Sequence, residues 1–208
     1  MRIFVINCSG SEDRWKHFTD DKYERWIGTH WNELDDNDLR FRKMVSYWNV
    51  NPNEHNAKVG CLLSHTNLWR YIITNKLNDI LILEDDAVEI DSVPENLPVD
   101  GVTYLGGLTW NMKILDGHKK LMCPPGIYPV ENFKILMTLS YYIPKWELAK
   151  ELLDYVESQK RWRAVDIMLT KSNSKFYMSY PASFIERPVE SLIRKDKKKF
   201  SNRYYGWD

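Results

Sequence analysis

The chemically most suggestive residues are an acidic triplet, Glu84-Asp85-Asp86, that ends the apolar run Ile80-Leu81-Ile82-Leu83. Three adjacent carboxylates repel one another, and a divalent cation relieves that repulsion. Hard cations such as Mg²⁺ or Mn²⁺ prefer carboxylate oxygens and complete their shells with substrate phosphates. Alternation along a strand puts Glu84 and Asp86 on one face and Asp85 on the other. An acid pair so placed suits a metal held against a diphosphate leaving group; a solvated strand end is the competing reading. Asp166 is a second candidate, because it sits in the apolar stretch Ala164 to Leu169 and a buried carboxylate needs a partner or a role. His65 lies in a helical stripe, where it serves either a buried hydrogen bond or a ligand. Gly106-Gly107, after a strand-like run, reads as a plain turn or as close backbone approach to a ligand.

The elements that would position these groups are legible in the apolar pattern. Ile3 to Ile6 is a short buried strand stopped by Asn7-Cys8-Ser9-Gly10, and Ser11 then caps a helix carrying Trp15 and Phe18 on one face. Residues 29 to 57 are polar and without periodicity. Val59, Leu62, Leu63, Thr66, Trp69, Ile72 and Ile73 then recur at three- and four-residue spacing, which predicts a helix packed on a sheet. With Ile80 to Leu83 as a second buried strand, strand-helix-strand predicts a right-handed βαβ unit. Further strands are expected at Val102 to Leu105, Ile135 to Ile143 and Phe176 to Tyr180. Helices are expected around Trp146 to Val156 and Ala164 to Leu169. The fold class is α/β, with a mostly parallel central sheet flanked by helices.

Composition narrows the function classes. The chain has 208 residues, 43% hydrophobic and 28% charged, which suits one folded domain rather than a disordered chain. Its 29 basic and 29 acidic side chains cancel, so it lacks the broad cationic field that nucleic-acid or anionic-membrane binding needs. No apolar run approaches a membrane span and the N-terminus lacks a signal peptide, so a cytoplasmic protein is expected. The three cysteines include no C-x-x-C; Cys8 and Cys61 read as buried free thiols. The histidines show no H-x-x-x-H spacing, which argues against a zinc hydrolase. Nine Trp and twelve Tyr suit core packing and sugar stacking alike. Residues 194 to 203 carry six basic and one acidic side chain, read as a solvated terminus or a means of diphosphate capture.

Several motifs, in order, carry a family likeness. Val5-Ile6-Asn7 with Ser11-x-x-Arg14, then Gly60-Cys61-Leu62-Leu63-Ser64-His65, then Leu81-Ile82-Leu83-Glu84-Asp85-Asp86-Ala87 resemble glycosyltransferase family 25. Its members include lipopolysaccharide-type sugar transferases and procollagen galactosyltransferases. Thr138 to Lys145 is similar to the family's later strand-to-helix segment, Val165-Asp166 to its later aspartate, and Glu190-Ser191-Leu192-Ile193 to its terminal motif. Cys8 stands where a leucine is usual, Glu186 where glutamine is common, and Leu192 where the terminal motif has aspartate.

The resemblance implies a GT-A-type nucleotide-diphospho-sugar transferase fold over residues 1–208. About 1–105 would form the nucleotide-sugar and metal half, and about 106–208 the acceptor half. It implies a UDP-sugar donor, a carbohydrate acceptor and a Mn²⁺ or Mg²⁺ ion at a DXD-like motif. Val5, Asn7 and Arg14 would contact the nucleotide, with Gly60, Ser64, His65 and Asp85 near the donor. Asp86, with Glu84 or Asp85, would hold the metal, and Asp166 would be the base that takes the acceptor proton or an acceptor-binding carboxylate. Similar domains occur in large algal viruses, sometimes fused to further domains, which would place the protein in host cytoplasm. The alternatives are a non-catalytic carbohydrate- or nucleotide-binding module, and a nucleotide-sugar hydrolase or nucleotidyltransferase. The Gly-rich, Lys-bearing phosphate loop of the last class is missing near the first strand.

Overall fold

A computed structural model describes residues 1–34, 52–110, 124–130 and 134–187. Cys123, the Glu190-Ser191-Leu192-Ile193 motif and the basic stretch 194 to 203 lie outside the described residues. In chain order the elements begin β1 (Arg2–Cys8), α1 (Glu12–Trp15), β2 (Tyr23–Gly28), a 3-10 turn (Trp31–Glu33) and α2 (Pro52–Thr74). They continue with β3 (Ile80–Glu84), β4 (Ala87–Glu89), β5 (Val102–Trp110), β6 (Gly126–Pro129) and β7 (Lys134–Ile143). Then come α3 (Trp146–Ser158), α4 (Val165–Leu169), β8 (Phe176–Tyr180) and β9 (Phe184–Glu186).

Seven strands form one sheet in the order β2-β1-β3-β7-β5-β8-β6, and β4 pairs with β9 in a separate ribbon. The pairs β1–β2, β1–β3 and β5–β8 are parallel, whereas β7 runs against β3 and β5, and β6 against β8. Five of the seven strands therefore share one direction, as the wholly apolar strands imply, and the mixed character comes from β6 and β7. The predicted strand-helix-strand unit is present, but β2 intervenes between β1 and α2 and lies parallel to β1 at the sheet edge. Its sequence, Tyr-Glu-Arg-Trp-Ile-Gly, is only partly buried along most of its length, so it lacks the continuous apolar run that marks a central strand.

Strand parity divides the core. Phe4, Ile6, Ile80, Ile82, Tyr141 and Ile143 face α2 and α3, meeting Val59, Leu62, Trp69, Leu148 and Leu152. Ile3, Val5, Leu81, Leu83, Leu105 and Tyr142 pack on the opposite face with Phe18 and Phe184. Both faces are covered, so every residue of Ile80 to Leu83 is fully buried. Burial of each such side chain stabilises the fold by about 1.5–3 kcal/mol.

Two local expectations are corrected. Ser11 occupies the cap position of α1, but its side chain makes no capping bond, and the short helix is closed by backbone bonds to the Ser11 carbonyl. Gly106-Gly107 is no turn; it lies inside β5, where the β7 register shifts on both sides of Gly106. A side chain at Gly106 would put a Cβ 2.3 Å from the Phe184 carbonyl oxygen. The Ser183 N–H also bonds the Leu105 carbonyl at 2.7 Å, so the close approach is made by the chain's own β9 segment rather than a ligand.

Candidate active site

The carboxyl ends of β1 and β3 lie side by side, with Val5 opposite Leu83 and Ile6 opposite Glu84. In open α/β sheets this is where ligands bind. Strand parity continues into the acidic triplet and sends its first two members to opposite faces. Asp85 joins the Leu81–Leu83 face, while Glu84 turns toward α2.

Asp85 is buried and fully engaged. Arg14 Nη1 donates to its Oδ1 at 2.8 Å and Asn7 Nδ2 to its Oδ2 at 2.8 Å. Asn7 has no exposed surface; its amide also donates to the Ser11 carbonyl at 2.9 Å, and its Oδ1 accepts from Arg25 Nε at 2.9 Å. These bonds tie β1, α1, β2 and the turn after β3 into one unit. The Arg14–Asp85 pair is largely shielded, with 14% and 9% of its side-chain surfaces exposed.

Glu84 closes β3 and faces the helix. Its Oε1 accepts from the Thr138 hydroxyl of β7 and lies 3.3 Å from His65 Nε2. The other ring nitrogen of His65 meets the Tyr141 hydroxyl at 2.7 Å, and Trp69 Nε1 donates to the same hydroxyl at 3.0 Å. Burial pushes the Glu84 carboxyl up, but His65 foremost, with Thr138 and Arg14, brings it below its ordinary value.

Asp86 differs from both neighbours. It follows the end of β3, in the turn before β4, so Glu84 and Asp86 are not two rungs of one strand as alternation predicted. Its backbone carbonyl accepts from the Arg187 N–H at 2.6 Å, yet its Oδ1 is buried and has no hydrogen-bond partner among the described residues. Burial, with the charges of Glu84, Asp85 and Glu186, pushes this carboxyl well above the ordinary aspartate value. A buried acceptor with no donor and like charges around it suits a hard divalent cation. Among the described residues, however, the trio whose ligand atoms cluster within 4.8 Å is Cys61, His65 and Glu84, which the sequence reading did not assemble. Its available signal was the four-residue spacing of Cys61 and His65 on a helix.

The remaining candidates are distributed as follows. Val5 is fully buried in the core between β2 and β3. Gly60 is buried in α2, and its carbonyl accepts from Ser64 Oγ at 2.8 Å. Ser64 in turn accepts the Thr29 N–H at 2.8 Å, which docks the segment after β2 onto α2. Asp166 lies in the first turn of α4, partly buried rather than enclosed. Its Oδ2 accepts the Met137 N–H of β7 at 3.0 Å, and its Oδ1 accepts the Ile167 N–H at 2.7 Å. Met137 has φ +70, a left-handed conformation that this bond helps to hold. Of the predicted residues, Asn7, Arg14 and Asp85 form one direct network and His65 and Glu84 another. Arg25, Thr138 and Tyr141 complete these networks and were missed, because only the fold reveals such polar partners. Cys8, partly exposed at the end of β1, has its thiol pushed up to about 11 by burial and by Asp85.

Among the described residues no helix is long and apolar enough to cross a membrane. Residues 1–97 match the model of glycosyltransferase family 25, described as an LPS biosynthesis protein family. The chain is also 27% identical over 135 residues to the procollagen lysyl hydroxylase and glycosyltransferase of Acanthamoeba polyphaga mimivirus. That match covers 57% of this chain and 15% of the viral protein. With both matches and a seven-stranded α/β sheet consistent with a GT-A-type fold, the chain is glycosyltransferase family 25-like.

Proposed function

We propose that this chain transfers a sugar from a UDP-sugar donor to a hydroxyl of a carbohydrate acceptor. Residues 1–105 would carry the nucleotide and metal and residues 106–208 the acceptor. The carrying observation is the buried Oδ1 of Asp86, without a hydrogen-bond partner among the described residues, beside two carboxylates that already have partners. Asp86, with Glu84 beside it, would hold Mn²⁺ or Mg²⁺. When bound, such an ion neutralises charge developing on a departing diphosphate.

The protein's own groups account for the rest of the reading. Asp85, clamped by Asn7 and Arg14, holds the acidic turn in place, so Asp86 is presented without rearrangement. The uracil base would lie by the carboxyl end of β1, near Asn7 and Arg14, with Ser64 and His65 fixing the adjoining wall. Asp166 would accept the acceptor proton. Its two oxygens each accept a backbone N–H, which fixes the position of the carboxylate between α4 and β7.

The test is a thermal-shift and calorimetric comparison of UDP, GDP and CDP with and without Mn²⁺. UDP should bind best and only with the metal, and Asp86→Ala should lose that dependence while keeping its fold. Ligand at ~100 times its dissociation constant adds roughly 2.7 kcal/mol, well within reach of the method. Equal binding of all three nucleotides without metal would overturn the proposal. Acceptor-dependent release of UDP distinguishes transfer from hydrolysis.

A further inference from the structure

The Cys61, His65 and Glu84 grouping does not include the orphaned Asp86 oxygen; it shares Glu84 with the acidic turn but adds a sulfur and a nitrogen ligand. We propose that these three side chains form a site for a thiophilic divalent cation, zinc by preference. Cys61 and His65 are one turn apart on α2, so their side chains lie one above the other on the same helix face. Glu84, the last residue of β3, meets them from the sheet, and all three ligand atoms lie within 4.8 Å of one another.

The spacing of the two known atoms matters. His65 Nε2 and Glu84 Oε1 are 3.3 Å apart. That is long for an N–H···O hydrogen bond, which usually spans about 2.7–3.2 Å. It is, however, the edge of a tetrahedron whose centre lies ~2.0–2.1 Å from each ligand, the bond length zinc makes with imidazole and carboxylate. An ion can therefore replace the proton between them with little movement of either group.

The supports of a metal site are also in place. A ligating histidine is normally oriented through its other ring nitrogen, and here Tyr141, itself held by Trp69, does so at 2.7 Å. The Thr138 hydroxyl fixes the carboxylate oxygen that faces the ring. Cys61 and Glu84 are partly exposed while His65 is buried, and three protein ligands leave one position of a tetrahedral shell to be filled by water. One sulfur, one nitrogen and one oxygen favour zinc over Mg²⁺ or Mn²⁺, which select all-oxygen sets. The competing account is a purely structural His65–Glu84 hydrogen bond with Cys61 as packing.

Cobalt(II), a spectroscopic stand-in for zinc, decides between them in the full-length chain. Titration should produce a thiolate-to-cobalt charge-transfer band and tetrahedral visible bands at one ion per chain, both bleached by added zinc. Cys61→Ser should lose the charge-transfer band, while Cys8→Ser and Asp86→Asn keep it, with circular dichroism checking that each variant is folded. Glu84→Gln, which weakens one proposed ligand, should reduce cobalt affinity and leave the thiolate band in place at saturation, with its fold checked in the same way. The proposal fails if the native chain gives no thiolate band or if the band survives in Cys61→Ser. Loss of the band in folded Asp86→Asn also overturns it, because the ion would then belong to the acidic turn. None of these readouts depends on sugar transfer, so they stand apart from the test of that activity.

Discussion

Asp85 and Asp86 are adjacent, chemically identical and both near the end of one strand, yet the fold treats them in opposite ways. Asp85 receives Arg14 and Asn7, one donor for each oxygen, and the network extends through Asn7 to Arg25. Among the described residues Asp86 receives no donor at its buried Oδ1, and the charges of Glu84, Asp85 and Glu186 around it outweigh that of Arg14. The first arrangement is what a stable protein needs, since a buried charge without partners is costly. The second is tolerable only if something else supplies the missing positive charge, or if the group keeps its proton. The well-bonded carboxylate on the β1 side and the unsatisfied one before β4 therefore stand next to each other in the chain.

The contrast predicts different responses to removing each carboxylate. Asp86→Ala should reduce turnover by about 100-fold or more while the protein stays folded, measured as UDP release with acceptor present. Wild-type turnover in that variant would erase the functional half of the comparison. The metal-free protein sharpens the same point through pH. The folded state binds the Asp86 proton more tightly than the unfolded chain, because burial and neighbouring carboxylates raise its value. That contribution to stability is complete in acid and is lost as pH rises through the raised folded value. Metal-free Asp86→Asn should thus melt above the wild type near neutral pH, the gap closing toward acid; the opposite trend would contradict the raised carboxyl.

Asp85→Ala should act on stability instead. It removes the buried carboxylate paired with the shielded Arg14 cation, at a cost of about 3–5 kcal/mol in a denaturant titration. A loss under ~1 kcal/mol would show that Arg14 reaches water and that the network is no anchor. The smallest expected effect is at Asp166. Asn has one acceptor oxygen where Asp166 uses two, so Asp166→Asn should cost about 1–2 kcal/mol in unfolding free energy. If Asp166 is also the base, turnover will fall much further than that stability loss explains, with UDP affinity unchanged. Full turnover in a folded Asp166→Asn protein leaves it an anchor between α4 and β7.

Much of this fold is legible in the sequence. The runs Ile3–Ile6 and Ile80–Leu83 announced doubly covered strands because both faces are apolar, and the spacing from Val59 to Ile73 announced the helix against them. The acidic triplet announced itself by charge density at a strand end. β2 was missed because an edge strand with mixed burial has no strong period. Gly106-Gly107 was misread because a glycine pair has the same composition in a turn and in a bulged strand. Only the approach of Phe184 distinguishes the two.

Residue order alone determined which side chains are apolar, how they alternate and where the carboxylates cluster, since those follow from side-chain chemistry and the two backbone periods. What it left undecided was which carboxylate acquires partners. Asn7 and Asp85 are 78 positions apart, Arg14 and Asp85 are 71 apart, and Tyr141 reaches His65 across 76 residues. The parallel pairing of β1 with β3 and the insertion of β7 beside β3 bring those donors in. Hydrogen bonds act over about 3 Å, so tertiary packing alone decided that Asp85 would be satisfied and Asp86 would not.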